Sequence, residues 1–243
     1  MQGGLHVGVS AQIALRDRLE TIAHNLANVS TPGFRAEQAK FDAAVARIGA
    51  QPSVAFVEAK QPYLSRESGG TIKTDSPLDV ALQGDAFMAL ETPQGQIYTR
   101  DGRLFITPTG ALVSVNGHAV LDAGGAPLQL DPNGPAPSIA RDGMIAQGGR
   151  RIGAIGLFAI DPAANLTRAD NSGVSPDRPA TAVLDFTRNG VLQGHLENAN
   201  VSGVAEMARL IAVQRAFESV VAAQGQSEQS FVDAIKTLGG AGG

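Results

Sequence analysis

The chain has no cysteine, so it can form neither disulfide bonds nor thiolate metal sites. It also has no marked excess of one charge: the formal net charge is -4 over 243 residues and is not concentrated in one stretch. Neither nucleic acid nor an anionic membrane is therefore expected as a partner. No run approaches the roughly 20 apolar residues of a membrane span, and no Lys or Arg precedes an apolar run at the start, as in a secretory signal. Export from the cytoplasm would need a route without a cleaved signal.

Proline is missing from both ends of the chain. All 13 prolines lie between Pro32 and Pro179, and most of the 29 glycines lie in the same middle part. Because both residues disfavour helix interiors, the ends can form long helices, whereas the middle is rich in turns.

The stretch from Val201 to Leu238 predicts an amphipathic helix, because its apolar residues recur at alternating steps of three and four. The residues of this seam are Leu210, Val213, Phe217, Val220, Gln224, Ser227, Phe231, Ala234 and Leu238. Gln224 and Ser227 make about one turn of it polar. The helix can therefore pack within its own chain or require a partner helix.

The N-terminal end predicts a second amphipathic helix, from about Leu5 to Val29. Its seam has the same spacing and consists of Leu5, Gln12, Leu15, Leu19, Ile22, Leu26 and Val29, with Gly8 on the same line. The sequence Ser30-Thr31-Pro32-Gly33 ends the pattern, because proline cannot continue a helix and restricts the residue before it.

The middle of the chain predicts short antiparallel strands from about Pro77 to Phe186. Apolar runs such as Phe87–Leu90 alternate with turn dipeptides, among them Asp101-Gly102, Asn116-Gly117 and Asp142-Gly143. We therefore predict an α+β fold, with long N- and C-terminal α-helices packed together in a coiled-coil-like manner and an inserted antiparallel β-rich domain. The expected division is an N-terminal axial helix over 1–34, an extended connector over 35–76, a β-rich outer domain over 77–190 and a C-terminal axial helix over 191–243.

Signals for enzymatic chemistry are sparse. The four histidines (His6, His24, His118 and His195) lie far apart and lack metal-ligand spacing. Asp101, Asp142 and Asp170 occur in turn sequences, where an aspartate bonds its own backbone. Arg150-Arg151 is too small a basic cluster for a nucleic-acid footprint. We expect no catalytic residues, no cofactor and no metal.

Six stretches resemble the bacterial flagellar rod and hook axial proteins, in the order in which that family has them. They are Gly4–Gln12 and Arg18–Phe34 near the start, Pro77–Phe87 and Tyr98–Gly102 in the middle, and Glu197–Val201 and Glu206–Glu218 near the end. Within the family, the compact length, the Gly117–Val120 turn and Ile139–Gly143 favour the proximal-rod type over the distal-rod type. A hook protein usually carries a larger outer domain.

The resemblance implies a tubular axial polymer beneath the hook, which crosses the periplasm and transmits torque. It implies as partners copies of the chain itself, other rod proteins and the flagellar type III export apparatus, a route without a cleaved signal. The seam residues would then form the assembly interface: Leu15, Leu19, Ile22, Leu26, Val29, Leu210, Val213, Phe217, Val220 and Phe231.

Two other classes of function stay open at the level of sequence. A secreted binding or adhesive domain would need a concave patch on the β domain. A glycan-acting enzyme of the periplasm would need paired carboxylates there. A filament subunit predicts two terminal helices and no convergent pocket.

Overall fold

The computed structural model describes residues 2–38, 41–46, 54–59 and 62–239. The chain divides into two compact units. Unit 1 comprises Met1–Ala27, Glu37–Pro62 and Ser202–Gly243, and unit 2 comprises Asn28–Ala36 and Tyr63–Val201. Both units are therefore discontinuous in sequence. Within the part of the chain described, no helix combines the length and apolarity that a membrane crossing requires.

Unit 1 contains the two helices of the described chain, α1 (Gln2–Ala27) and α2 (Gly203–Gly239). It also contains the strands β1 (Glu37–Gln38), β2 (Phe41–Ala46) and β3 (Val54–Ala59), of which β2 and β3 pair antiparallel. The helices lie side by side, and α1 also lies along β3. Ser202 caps α2, because its hydroxyl accepts the Ala205 N–H (3.4 Å) and its carbonyl accepts the Glu206 N–H (2.9 Å).

The predicted fold class, α+β with a coiled-coil-like helix pair, is wrong. Between the two helices the described residues form twenty strands, so the chain is mostly β. A coiled coil buries an unbroken apolar seam. Of the predicted interface, only Ile22 and Val213 are described as fully buried, and beyond Val220 the described α2 side chains are exposed except for the half-buried Gln224. Helical spacing predicts where a helix forms but not how completely a neighbour covers it.

Unit 2 is built from antiparallel strands. These are β4 (Tyr63–Leu64), β5 (Thr71–Lys73), β6 (Val80–Gln83), β7 (Ala86–Thr92), β8 (Gly95–Thr99), β9 (Leu104–Ile106), β10 (Leu112–Ser114), β11 (Ala119–Val120), β12 (Ser138–Ile139), β13 (Met144–Gln147), β14 (Arg150–Ala154), β15 (Leu157–Ala159), β16 (Leu166–Ala169), β17 (Gly173–Pro176), β18 (Thr181–Ala182), β19 (Gly190–Gln193) and β20 (His195–Glu197). The main sheet runs β16-β17-β8-β7-β11-β10-β9, with β15 pairing to β7 and β18 to β15. Smaller sheets are β12-β13-β14, β19-β6 and β20-β5.

Strand β7 lies between the two apolar clusters of unit 2. Ala86, Met88 and Leu90 belong to the larger cluster, whereas Phe87 and Ala89 belong to the smaller one. Successive side chains of a strand point to opposite faces, so β7 is buried on both sides. This explains why its sequence is continuously apolar rather than alternating.

Two of the three predicted turn dipeptides close hairpins. Asn116-Gly117 joins β10 to β11 and Asp142-Gly143 joins β12 to β13. Asp101-Gly102 instead connects strands with different partners, since β8 pairs with β7 and β17 while β9 pairs with β10. Here the Gly102 carbonyl accepts the Val80 N–H (3.0 Å), which directs the chain toward β6.

Candidate functional site

Three stretches that are distant in the sequence meet in unit 2. They are the segment after α1, the end of β8 and the segment before α2. We call their meeting point the junction cluster and define it as Gly33, Arg35, Arg100, Glu197 and Asn200. All but Arg35 lie within the stretches that carry the family resemblance, and Arg35 directly follows one of them.

Arg100 is the most extensively bonded member of the cluster. Its side chain is 1% exposed, and its Nε donates to Glu197 Oε2 over 2.6 Å. Its Nη1 donates to the Gly84 carbonyl (2.8 Å) and to the Ala86 carbonyl, and its Nη2 donates to the Leu82 carbonyl (2.7 Å). The planar guanidinium thus links β20 to the β6–β7 connection, as five fixed N–H donors allow.

Glu197 also has polar contacts with three other residues of unit 2. Its Oε1 lies 3.3 Å from Arg35 Nη2 and accepts the Gly69 N–H over 3.1 Å. Its backbone carbonyl accepts the Gly33 N–H over 2.8 Å. One residue therefore accepts from donors in both chain segments of unit 2.

The cluster holds two buried guanidinium groups against one carboxylate. Arg35 is 2% exposed, and its Nε is buried without a hydrogen-bond partner among the described residues. Burial lowers the pKa of Arg35 to about 10, although the Glu197 carboxylate raises it. Both guanidiniums also lie near the face of Phe87, at 5.9 Å for Arg35 and 5.7 Å for Arg100, a favourable cation–π arrangement.

Hydrogen bonds between the Asn200 side chain and backbone groups hold segment 28–36 beside the end of segment 63–201. The Ala36 N–H donates to Asn200 Oδ1 over 2.6 Å, and Asn200 Nδ2 donates to the Glu67 carbonyl over 2.7 Å. Gly33 has a φ of +67°, and a Cβ there would overlap backbone atoms of Arg100 and Asp101. Only glycine combines this conformation with this close approach.

The predicted interface residues are distributed over both units. In unit 1, Ile22 and Val213 are 4% and 5% exposed. The half-buried members there are Leu15, Leu19, Leu26, Leu210, Phe217 and Val220. Val29 is half-buried but belongs to unit 2, beyond the end of α1, and the side chain of Phe231 lies outside the described residues.

The polar interruption of the α2 seam has a partner inside the chain. Gln12 Nε2 of α1 donates to Gln224 Oε1 over 2.6 Å, and both side chains are half-buried. Gln12 lies on the α1 seam just as Gln224 lies on the α2 seam. The polar residues that interrupt the two apolar seams are therefore hydrogen-bonded to each other.

A second apolar stripe on α2 was not predicted. Val204, Met207, Ile211, Val221 and Val232 are 77%, 49%, 51%, 45% and 49% exposed. From Val204 they follow the same three-four spacing, with Gln214, Glu218, Gly225 and Glu228 between them, one position after each seam residue. We call this set the outer stripe. The signal for it in the sequence is the three-four spacing that starts at Val204.

Unit 1 also contains a cleft of about 260 Å³. It is lined by Arg18, Thr21, Ile22, Asn25, Glu37, Gln38, Glu206 and Arg209. Asn25 fixes one wall, because its side-chain amide exchanges two 2.8 Å hydrogen bonds with the Glu37 backbone. Glu206 and Arg209 pair over 2.6 Å in another wall. The lining has two acidic and two basic residues, so its charge selects neither for anionic nor for cationic ligands.

Three of the four histidines have local partners. His24 lies 3.2 Å from Glu37, His118 lies 3.2 Å from Asp170, and His195 lies 3.0 Å from the Gln193 carbonyl. Within the described ranges, no group of three or more His, Asp or Glu side chains could hold a metal ion.

Three family models match the chain, and together they cover most of both helices and five of the nine strands of the main sheet, β7 to β11. "Flagella basal body rod protein" matches residues 5–35, "Flagellar hook protein FlgE/F/G D1 domain" matches 81–147, and "Flagellar basal body rod FlgEFG protein C-terminal" matches 192–236. The class defined by these matches is that of the flagellar rod and hook proteins.

Individual relatives narrow this class. The chain is 48% identical over 239 residues to the flagellar basal-body rod protein FlgF of Mesorhizobium japonicum, covering 98% of this chain and 99% of the relative. It is 43% identical to FlgF of Rhizobium meliloti, with 99% of each chain covered, and 28% identical to FlgG of Bacillus subtilis, with 90% and 92% covered. The chain belongs to the FlgF family of flagellar basal-body rod proteins. The predicted preference for the proximal-rod type, protein F, over the distal-rod type, protein G, is confirmed.

Proposed function

We infer that this chain is a structural subunit of the bacterial flagellar basal-body rod, which polymerises into the tubular shaft that transmits torque from motor to hook. The observation that carries this conclusion is the 48% identity to an FlgF protein over nearly the full length of both chains. The chain assembles with other components of the rod.

We propose that the assembly interface has two parts. The first consists of the seam residues Leu15, Leu19, Ile22, Leu26, Val29, Leu210, Val213, Phe217, Val220 and Phe231. The second is the outer stripe of α2, whose five apolar residues are 45–77% exposed. Exposed apolar side chains that recur on one helix face favour contact with another protein, and a neighbouring rod subunit is the occupant that we propose.

The division of labour along the chain is part of the same proposal. Residues 1–34 and 191–243 would provide the axial contacts, residues 35–76 the connection, and residues 77–190 the outward-facing β domain. The matched family models support this arrangement, since the rod models cover the two ends and the D1 model covers residues 81–147.

We further propose a periplasmic position for the rod subunit, export through the flagellar type III apparatus, and no catalytic activity. The absence of catalysis is supported by the structural role of the family. Export through that apparatus is proposed from the membership of the rod family alone.

Replacing Ile211 by aspartate tests the outer stripe. Burial of such a side chain in a subunit contact is worth about 1.5–3 kcal/mol, and a polymer repeats that gain in every subunit. Cells whose only copy carries Ile211→Asp should lose rod assembly and swimming. Ala212→Asp is the matched control, because Ala212 is the exposed neighbour off the stripe, and it should swim normally. Equal swimming of the two strains would refute the proposed stripe contact.

A further inference from the structure

Unit 2 is made of two chain segments, Asn28–Ala36 and Tyr63–Val201. The short first segment must be held to the long second one by contacts between them. Neither apolar cluster described for unit 2 includes a residue of the first segment. The described contacts that join the segments are largely polar, and several of them converge on Glu197 and Asn200.

We propose that the junction cluster is a clasp that keeps segment 28–36 joined to segment 63–201 of unit 2, with the Glu197 carboxylate as its central group. This inference concerns the free subunit and does not depend on rod assembly.

The central role of Glu197 follows from how many segments it serves. It contacts Arg35 and Gly33 of the first segment, Gly69 ahead of β5, and Arg100 at the end of β8. Removing its negative charge leaves two guanidiniums buried without a carboxylate between them. A buried charge that loses its partner is strongly destabilising. In this cluster the destabilisation should weaken the contacts that hold segment 28–36 in unit 2.

Asn200 extends the clasp by one step. Its side chain accepts the Ala36 N–H and its own N–H donates to the Phe34 carbonyl over 3.2 Å. Directly after β20, Asn198 donates its N–H to the Gly70 carbonyl over 2.8 Å. These backbone amides report whether the clasp is closed.

The experiment is amide hydrogen exchange on the full-length monomer carrying Glu197→Gln. Exchange at Gly33, Ala36 and Asn198 should accelerate about tenfold or more, whereas Leu112 and Leu128 in the main core should change less than about threefold. Those two amides donate to the Leu128 and Val120 carbonyls, away from the cluster. Unchanged exchange at the three cluster amides, or equal acceleration at all five, would overturn the proposal.

Two further variants separate charge balance from simple packing. Glu206→Gln removes a carboxylate of similar burial that pairs with Arg209 in unit 1, and the cluster amides should not respond to it. Adding Arg35→Met to Glu197→Gln removes one unmatched cation, so the cluster amides should exchange more slowly than in the single variant. A double variant that exchanges as fast as the single one would contradict the clasp.

If Glu197→Gln does not fold, Asn200→Ala tests the same claim without changing any charge. Exchange at Ala36 and at Gly33 should then accelerate together by about tenfold, because a clasp opens as one unit. Acceleration at Ala36 alone would show a local hydrogen bond rather than a clasp.

Discussion

Replacing Gly33 by alanine measures how tightly segment 28–36 is built into unit 2. The positive φ of +67° costs a residue with a Cβ about 1–2 kcal/mol. The new Cβ would also overlap the backbone of Arg100 and Asp101. Because these are backbone atoms, no side-chain rotation can relieve the overlap, and the segment must shift.

That shift should break the hydrogen bond from the Gly33 N–H to the Glu197 carbonyl, which is 2.8 Å long. A hydrogen bond of this kind contributes about 1 kcal/mol. Together with the conformational cost, Gly33→Ala should lower the free energy of unfolding of unit 2 by about 2–3 kcal/mol. That is a large share of the roughly 5–15 kcal/mol typical of a domain.

Gly117→Ala is the matched control. Gly117 has a φ of +82°, but no described atom lies within 4 Å of its hypothetical Cβ, so only the conformational cost of about 1–2 kcal/mol applies. The two tyrosines, Tyr63 and Tyr98, both lie in unit 2 and the chain has no tryptophan. Urea unfolding followed by tyrosine fluorescence therefore reports on unit 2. Equal destabilisation by the two variants would refute the close approach at Gly33.

Two further predictions concern the seam and the cluster. Gln12→Leu and Gln224→Leu should each destabilise the helix pair by about 1 kcal/mol, because each leaves one amide unpaired; the double variant should lose less than the sum in thermal melts followed by helical circular dichroism, and strict additivity would show that the two residues are not coupled. Burial lowers the pKa of Arg35 to about 10 in the folded chain, well below its ordinary value, so the folded state loses this proton first and stability rises as pH climbs through 10. Relative to Arg35→Met, which cannot titrate there, the wild type should gain roughly 1 kcal/mol between pH 10 and pH 11 in urea unfolding, and a constant difference would contradict the assignment.

The local elements of this fold could be predicted from the sequence. Three-four spacing predicts both helices, and the Ser30–Gly33 breaker places the end of α1 within a few residues of Ala27. Apolar runs between turn dipeptides predict strands such as β7 and β10. Each of these features is set by interactions between residues close together in the chain.

The fold class and the junction cluster could not be predicted in the same way. Several strands are only two residues long, among them β4 and β11. Such strands are too short to show an alternation of apolar and polar residues, so the number of strands could not be predicted. Arg35 and Glu197 are a charged pair separated by 162 positions. The residues next to each of them in the sequence give no sign that its side chain is buried rather than exposed to solvent. The Gln12–Gln224 bond is hidden for the same reason, since periodicity reveals a polar interruption but not its partner.

Segment 28–36, with which the chain first enters unit 2, meets Asn200, close to where the chain finally leaves it, and this has a consequence for how the architecture can vary. A unit whose chain enters and leaves at neighbouring points behaves as a module: its interior can be lengthened or exchanged without changing the spacing between those two points. Extra residues placed at the exposed Asn116–Gly117 hairpin would enlarge unit 2 while the distance between its entry and exit stays the same. Size differences among such subunits can therefore accumulate in the module while the segments that lead to the two helices keep one fixed separation.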